Sequence, residues 1–175
     1  MTGATQLNFE DIVRTHSAMV ARIAATYEAR PALIEELTQD IFIAVLRALP
    51  GFRKEASLKT FIARIANNVA IDHVRKATKR LQEVEVTAAH DIADPIADQE
   101  THADLRIKRE KLVECVRALD LPLRQVASLH LEGFTNAEIA DALSLTANNV
   151  GVRLHRAKAE LTRRLAPAAK KEITA

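Results

Sequence analysis

Tryptophan is absent from this chain of 175 residues, tyrosine occurs once, and aromatic side chains reach only 3%. A core cannot be built here around stacked rings. It must be assembled from Leu, Ile, Val and Ala, and a hydrophobic fraction of 48% supplies enough of them. Such interdigitated aliphatic cores suit helices. Four glycines and five prolines leave little material for the repeated turns of a β-sandwich. The single cysteine, Cys115, excludes an internal disulfide and fits a reducing cytosol; on a helix it reads as a small buried hydrophobe. No basic-then-apolar segment opens the chain, and no stretch approaches the roughly 20 apolar residues of a membrane span. The expectation is a soluble, cytoplasmic protein with no membrane insertion.

Catalytic signatures are missing too. There is no glycine-rich phosphate loop, nucleophile elbow or HExxH spacing. His16, His73, His90, His102, His130 and His155 are scattered without metal-ligand spacing, and Cys115 stands apart from them. The chain is expected to be no enzyme and to need no metal and no cofactor.

The formal net charge of +2 hides a pattern. Up to Arg80 there are 12 basic and 8 acidic residues, and from Lys108 onward again 12 and 8. Between them, Arg106 faces Glu83, Glu85, Asp91, Asp94, Asp98, Glu100 and Asp104. Two basic segments flank an acidic one. The first reads as helical from about 8 to 76. Pro31 opens its second helix at a favoured first-turn position, and Leu33, Leu37, Ile41, Val45 and Leu49 follow at four-residue steps. Pro50-Gly51 ends that helix. A third helix runs from Leu58 to about Lys76. Periodicity lapses from Ala77 to about His102 and returns near Leu105, so a linker is the economical reading.

The strongest local pattern runs from Thr135 to Leu165. Ile139, Ala140 and Leu143 line a short helix, Ser144-Leu145 makes a turn, and Thr146 stands where an N-cap is wanted. Val150, Leu154, Ala157, Leu161 and Leu165 then form one apolar stripe, with Arg153, Arg156, Lys158, Arg163 and Arg164 off it. Small Ala140 permits close approach at the corner. This predicts a helix-turn-helix, for which duplex DNA is the expected partner.

Two further constellations admit two readings each. The third helix presents Arg64, Asn67, Asn68, Asp72, Arg75 and Lys76, either a solvated face or amides and guanidinium groups set for base edges and phosphates. The segment before it, with Arg53, Lys54, Ser57 and Lys59, could hold an unstacked base. Glu35, Glu36, Gln39 and Asp40 open the second helix, either as macrodipole partners or as a docking face for a basic protein surface.

The stretches EELTQDIFIAVLRAL (35–49), FRKEASLKTFIARIANNVAIDHVRK (52–76) and 135–165, in this order and spacing, resemble regions 2 and 4 of the extracytoplasmic-function (ECF) sigma factors of bacterial RNA polymerase. The resemblance implies an all-α protein: a region 2 domain over 1–80, a flexible acidic linker over 81–107, a region 4 helix-turn-helix domain over 108–168, and a tail over 169–175. It implies a promoter-specificity subunit rather than a stand-alone helix-turn-helix regulator or an adaptor. Glu36, Gln39 and Asp40 match the pattern that docks on the β′ clamp helices of core polymerase, and the β flap is a second implied contact. Phe52, Arg53, Lys54, Ser57 and Lys59 match the loop that captures a flipped −10 base. Arg64, Asn68 and Arg75 match the promoter-melting helix, with Asp72 an orienting partner, and Asn67, also expected at the −10 element, stands in place of a frequent Arg. Thr146, Asn148, Asn149, Val152, Arg153 and Arg156 match the −35 reader. An anti-sigma factor is a further implied partner. Ser144 stands where the family has a turn glycine, Ala63 where a larger residue is common, and Gly151-Val152 where Lys-Ser is frequent. The linker would also permit a compact state closed to DNA.

Overall fold

A computed structural model describes residues 8–83 and 100–166, with side chains over 8–80 and 104–166. Among these residues every regular element is helical. Most of the acidic run expected as a linker lies outside the described residues, as does all of 169–175.

The first module is three α-helices. In α1 (Phe9–Ala25) the Asn8 side chain caps the first turn, accepting from the Glu10 N–H at 3.1 Å. Helix α2 (Pro31–Ala48) starts on proline, as expected, and closes through a 3-10 turn at Leu49–Gly51. Its stripe of Leu37, Ile41 and Val45 is buried to 1% exposure or less. Helix α3 (Leu58–Glu83) is capped by Ser57, whose Oγ accepts from the Thr60 N–H at 3.0 Å. Facing inward from α3 are Ile62, Ala63, Ala66 and Ala70, all fully buried. The three alanines let the backbone of α3 lie close to α1 and α2.

The second module is α4 (Glu100–Arg117), α5 (Leu121–Leu131), α6 (Asn136–Leu143) and α7 (Ala147–Leu165). Val116, Leu119, Ala127 and Ala157 form a small core joined by Leu112, Leu123 and Leu161. Both helices flanking the acidic run are longer than periodicity indicated: α3 continues seven residues past Lys76, and α4 begins at Glu100, inside the segment read as linker. Alanine, lysine, arginine, glutamine and glutamate are good helix formers without any apolar stripe, so hydrophobic spacing is silent there.

The modules pack on one another, α3 meeting α6 and α5. Val126, Leu129, Phe134, Ile139 and Leu154 of the second module belong to the same continuous apolar cluster as Ile12, Val20, Leu37 and Ile62 of the first.

Candidate nucleic-acid interface

The helix-turn-helix forms as its spacing predicted. Thr135 and Glu138 make a reciprocal capping box at the start of α6. The same contacts, led by the Thr135 backbone N–H, hold the Glu138 carboxyl below the usual carboxylate range. Helix α6 ends on Ser144, which adopts left-handed backbone angles (φ 54°, ψ 45°). That geometry explains why glycine is favoured at such a turn. The Leu145 N–H then reaches back to the Ala140 carbonyl at 2.9 Å. Thr146 caps α7, its hydroxyl accepting from the Asn149 N–H at 3.2 Å.

On α7, Val150, Leu154 and Ala157 are buried, which turns the other face outward. Thr146, Asn148, Asn149, Val152 and Arg156 are exposed, and Arg153 is half-buried. Gly151 is partly covered, and a Cβ added there would meet only Asn136 Nδ2 of α6, at 4.0 Å. The six residues expected to read a −35 element therefore share one accessible end of one helix. Arg163 and Arg164 pair with Glu160 farther along.

Helix α3 divides the residues assigned to it. Arg64, Asn68, Asp72 and Arg75 are exposed along one side, and Arg75 Nη1 lies 3.6 Å from Asp72 Oδ1. Asn67 does not belong with them. It is 1% exposed, and its Oδ1 accepts the Tyr27 hydroxyl at 2.6 Å. Consecutive helical residues point about 100° apart, and here that step carries Asn67 into the core while Asn68 stays exposed. Asn67 sits instead with Ala63, Ala66 and Ala70 in the core, and the expected DNA contact at this position is corrected to a buried structural one.

In the segment before α3, Arg53 and Lys54 are exposed, and Lys54 has a left-handed φ of 59°. Phe52 is half-buried against Phe61, ring centres 4.9 Å apart. The Ser57 hydroxyl is engaged in capping α3. Lys59 Nζ donates to the Glu132 carbonyl at 3.1 Å and stands 4.2 Å from the centre of the Phe134 ring. Arg64 Nη2 donates to the Asp141 carbonyl at 2.7 Å. Two of the residues expected to meet −10 DNA thus hold the second module. Their partners carry no signature in the sequence, because every residue has a backbone carbonyl.

Glu36, Gln39 and Asp40 are exposed together on α2. Beside them a groove lined by Val13, Phe42, Ile43 and Leu46 joins α1 to α2, and Ile43 and Leu46 are nearly half exposed. Among the described residues no helix is long and apolar enough to cross a membrane.

A helix-turn-helix module packed on a three-helix module with a basic face defines an all-helical, two-module transcription protein. Two family models match it in order, sigma-70 region 2 over residues 12–80 and sigma-70, region 4 over residues 109–161. RNA polymerase sigma factor NccH of Alcaligenes xylosoxydans xylosoxydans is 27% identical over 90% of this chain and 86% of its own. ECF RNA polymerase sigma factor SigX of Bacillus subtilis is 33% identical over 70% of this chain and 65% of its own. The fold resembles that of RpoE of Bartonella quintana, solved in complex with the anti-sigma factor NepR. Its TM-score is 0.74 at 17% identity, over 90% of this chain and 96% of that one. CnrH, solved in complex with the cytosolic domain of CnrY, has a TM-score of 0.65 at 23% identity, covering 91% and 88%. The chain belongs to the ECF family of sigma-70 factors, and its function is that of a promoter-directing sigma factor rather than of a stand-alone regulator.

Proposed function

We propose that this protein docks on core RNA polymerase, sets its two modules on the −35 and −10 elements of promoter DNA, and helps open the duplex at the latter while catalysing nothing itself. The observation that carries the reading is the outward end of α7. Thr146, Asn148, Asn149, Val152, Arg153 and Arg156 sit together there, while Val150, Leu154 and Ala157 anchor the helix behind them. An α-helix so presented fits the major groove, with amides for base edges and guanidinium groups for phosphates. Asn68 and Arg75 on α3, with Arg53 and Lys54 ahead of it, supply the −10 contacts, joined by Lys59 and Arg64 once these are released. Glu36, Gln39 and Asp40, beside the exposed Ile43 and Leu46, supply the face for the β′ clamp helices, and the second module meets the β flap. The protein works in the cytoplasm under an anti-sigma factor. The complex of RpoE with the anti-sigma factor NepR supports that last point.

Run-off transcription tests the reading. Core enzyme with this chain starts transcripts at discrete sites; the same pattern from core enzyme alone would sink it.

A further inference from the structure

Lys59 and Arg64 do not rest on arbitrary atoms of the second module. Glu132 is the residue that closes α5, and Asp141 lies in the last turn of α6. The end of an α-helix leaves carbonyls without intrahelical partners and carries partial negative charge. Two helix ends therefore offer α3 what a nucleic-acid backbone offers: oxygen acceptors in a negative field. Arg117 makes the reverse contact, donating to the Ala25 and Glu28 carbonyls at 3.0 and 3.3 Å at the end of α1.

Beside these contacts is a two-pronged ion pair. Arg22 of α1 donates from Nε and Nη2 to the two carboxylate oxygens of Glu132, at 2.8 and 2.7 Å. The Glu132 side chain is only 8% exposed, and the fork geometry fixes its direction. Glu132 thereby binds α1 through its side chain and Lys59 of α3 through its backbone. Next to it the hydroxyls of Thr26 and Ser128 meet at 2.9 Å inside the seam.

We propose that the ends of α5 and α6 occupy the place of DNA phosphates on α3. Lys59 and Arg64 then hold either the second module or the −10 strand, and the Arg22–Glu132 pair is the latch that keeps the free chain in the first state. The inference rests on the reading of α3 as the −10 face. A chain in which these cations are engaged binds single-stranded DNA with its intrinsic affinity multiplied by the fraction that is open.

Arg22→Glu in the full chain tests this with an unusual sign. The change removes positive charge, which by itself weakens binding to an anionic strand. Opening the latch does the opposite. Small-angle scattering should show the variant expanded. Anisotropy with a labelled single-stranded DNA 12-mer pool of random sequence should show up to about tenfold tighter binding, as expected if nine-tenths of the free chain is closed. Arg22→Ala, which also loses charge, serves if Arg22→Glu fails to fold by circular dichroism. The swap Arg22→Glu with Glu132→Arg should restore both compactness and weak binding. Expansion without a gain in affinity overturns the sharing of Lys59 and Arg64, and an unexpanded variant overturns the latch. The wild-type run-off assay reports separately on the promoter reading, since the scattering profile needs neither polymerase nor promoter.

Discussion

Tyr27 donates its hydroxyl to Asn67 Oδ1 at 2.6 Å, and both side chains are out of water. Burial pushes the phenol pKa upward, and the Arg124 guanidinium lies 5.7 Å from the ring centre. One side chain thus ties the turn after α1 to α3 and to α5. Removing only its hydroxyl leaves the Asn67 amide buried without its acceptor's partner. Tyr27→Phe should cost about 1–3 kcal/mol, read as a lower urea midpoint at unchanged slope. A variant as stable as the parent would mean that the pair contributes nothing.

Ser144 carries the left-handed turn of the helix-turn-helix with a side chain that opposes it. The steric cost of that conformation is about 1–2 kcal/mol for a residue with a Cβ, offset in part by the greater unfolded-state freedom of glycine. Ser144→Gly should stabilise the protein by about 0.5–1 kcal/mol in thermal melts, with DNA recognition unaltered.

Gly151 is a helix-interior glycine with room beside it. Because an added Cβ meets only Asn136 Nδ2 at 4.0 Å, Gly151→Ala should gain roughly 0.5–1 kcal/mol of stability from backbone entropy alone. A loss on denaturant titration would show that α6 and α7 cannot accommodate the methyl group.

Glu28 makes the stability acid-sensitive. Burial alone would raise its pKa. The Arg30 side chain, the N–H groups of Arg30 and Ala29, and the His73 ring at 3.0 Å outweigh it and hold the value at about 2. A carboxyl whose folded pKa lies below its unfolded one stabilises the protein above the ordinary carboxylate range. That stability disappears as pH falls from there through the folded value. Chemical denaturation followed from pH 5 down to pH 2 (about the span of the two values) should therefore show a loss that Glu28→Gln blunts.

Promoter affinity should separate the two kinds of residue on α7. Arg153→Ala or Arg156→Ala should weaken all sequences alike and lower the salt slope of the polymerase complex by roughly 0.9 each. Asn149→Ala should instead cost about 1–3 kcal/mol of discrimination at one base pair. Competition binding on promoters found by start-site mapping distinguishes them.

Local chemistry was the legible part of this molecule. The stripe Leu37–Ile41–Val45, proline at the head of α2, and the Thr146 cap each depend on residues within one or two turns, and each appears where spacing placed it. Asn67 was misread because its neighbour Asn68 has the same chemistry and faces the opposite environment. The ends of α3 and α4 escaped notice because helix propensity without a stripe gives no period to follow. The seam between modules is illegible for another reason: Lys59, Arg64 and Arg117 donate to main-chain oxygens, which every residue possesses, and the side-chain pairs Arg22–Glu132 and Thr26–Ser128 join residues more than 100 positions apart, which no local spacing links.

The alanine row of α3 has an evolutionary corollary. Ala63, Ala66 and Ala70 are fully buried against the first module's core, so a larger side chain at any of them must be matched by its neighbours or shift the helix that carries Asn68 and Arg75. The outward residues of α3 can change one at a time, whereas its inward residues can change only together with α1 and α2. If α7 reads the promoter as proposed, its exposed Asn148, Asn149, Val152 and Arg156 share the freedom of the outward α3 residues, and preferences at the two elements can drift independently.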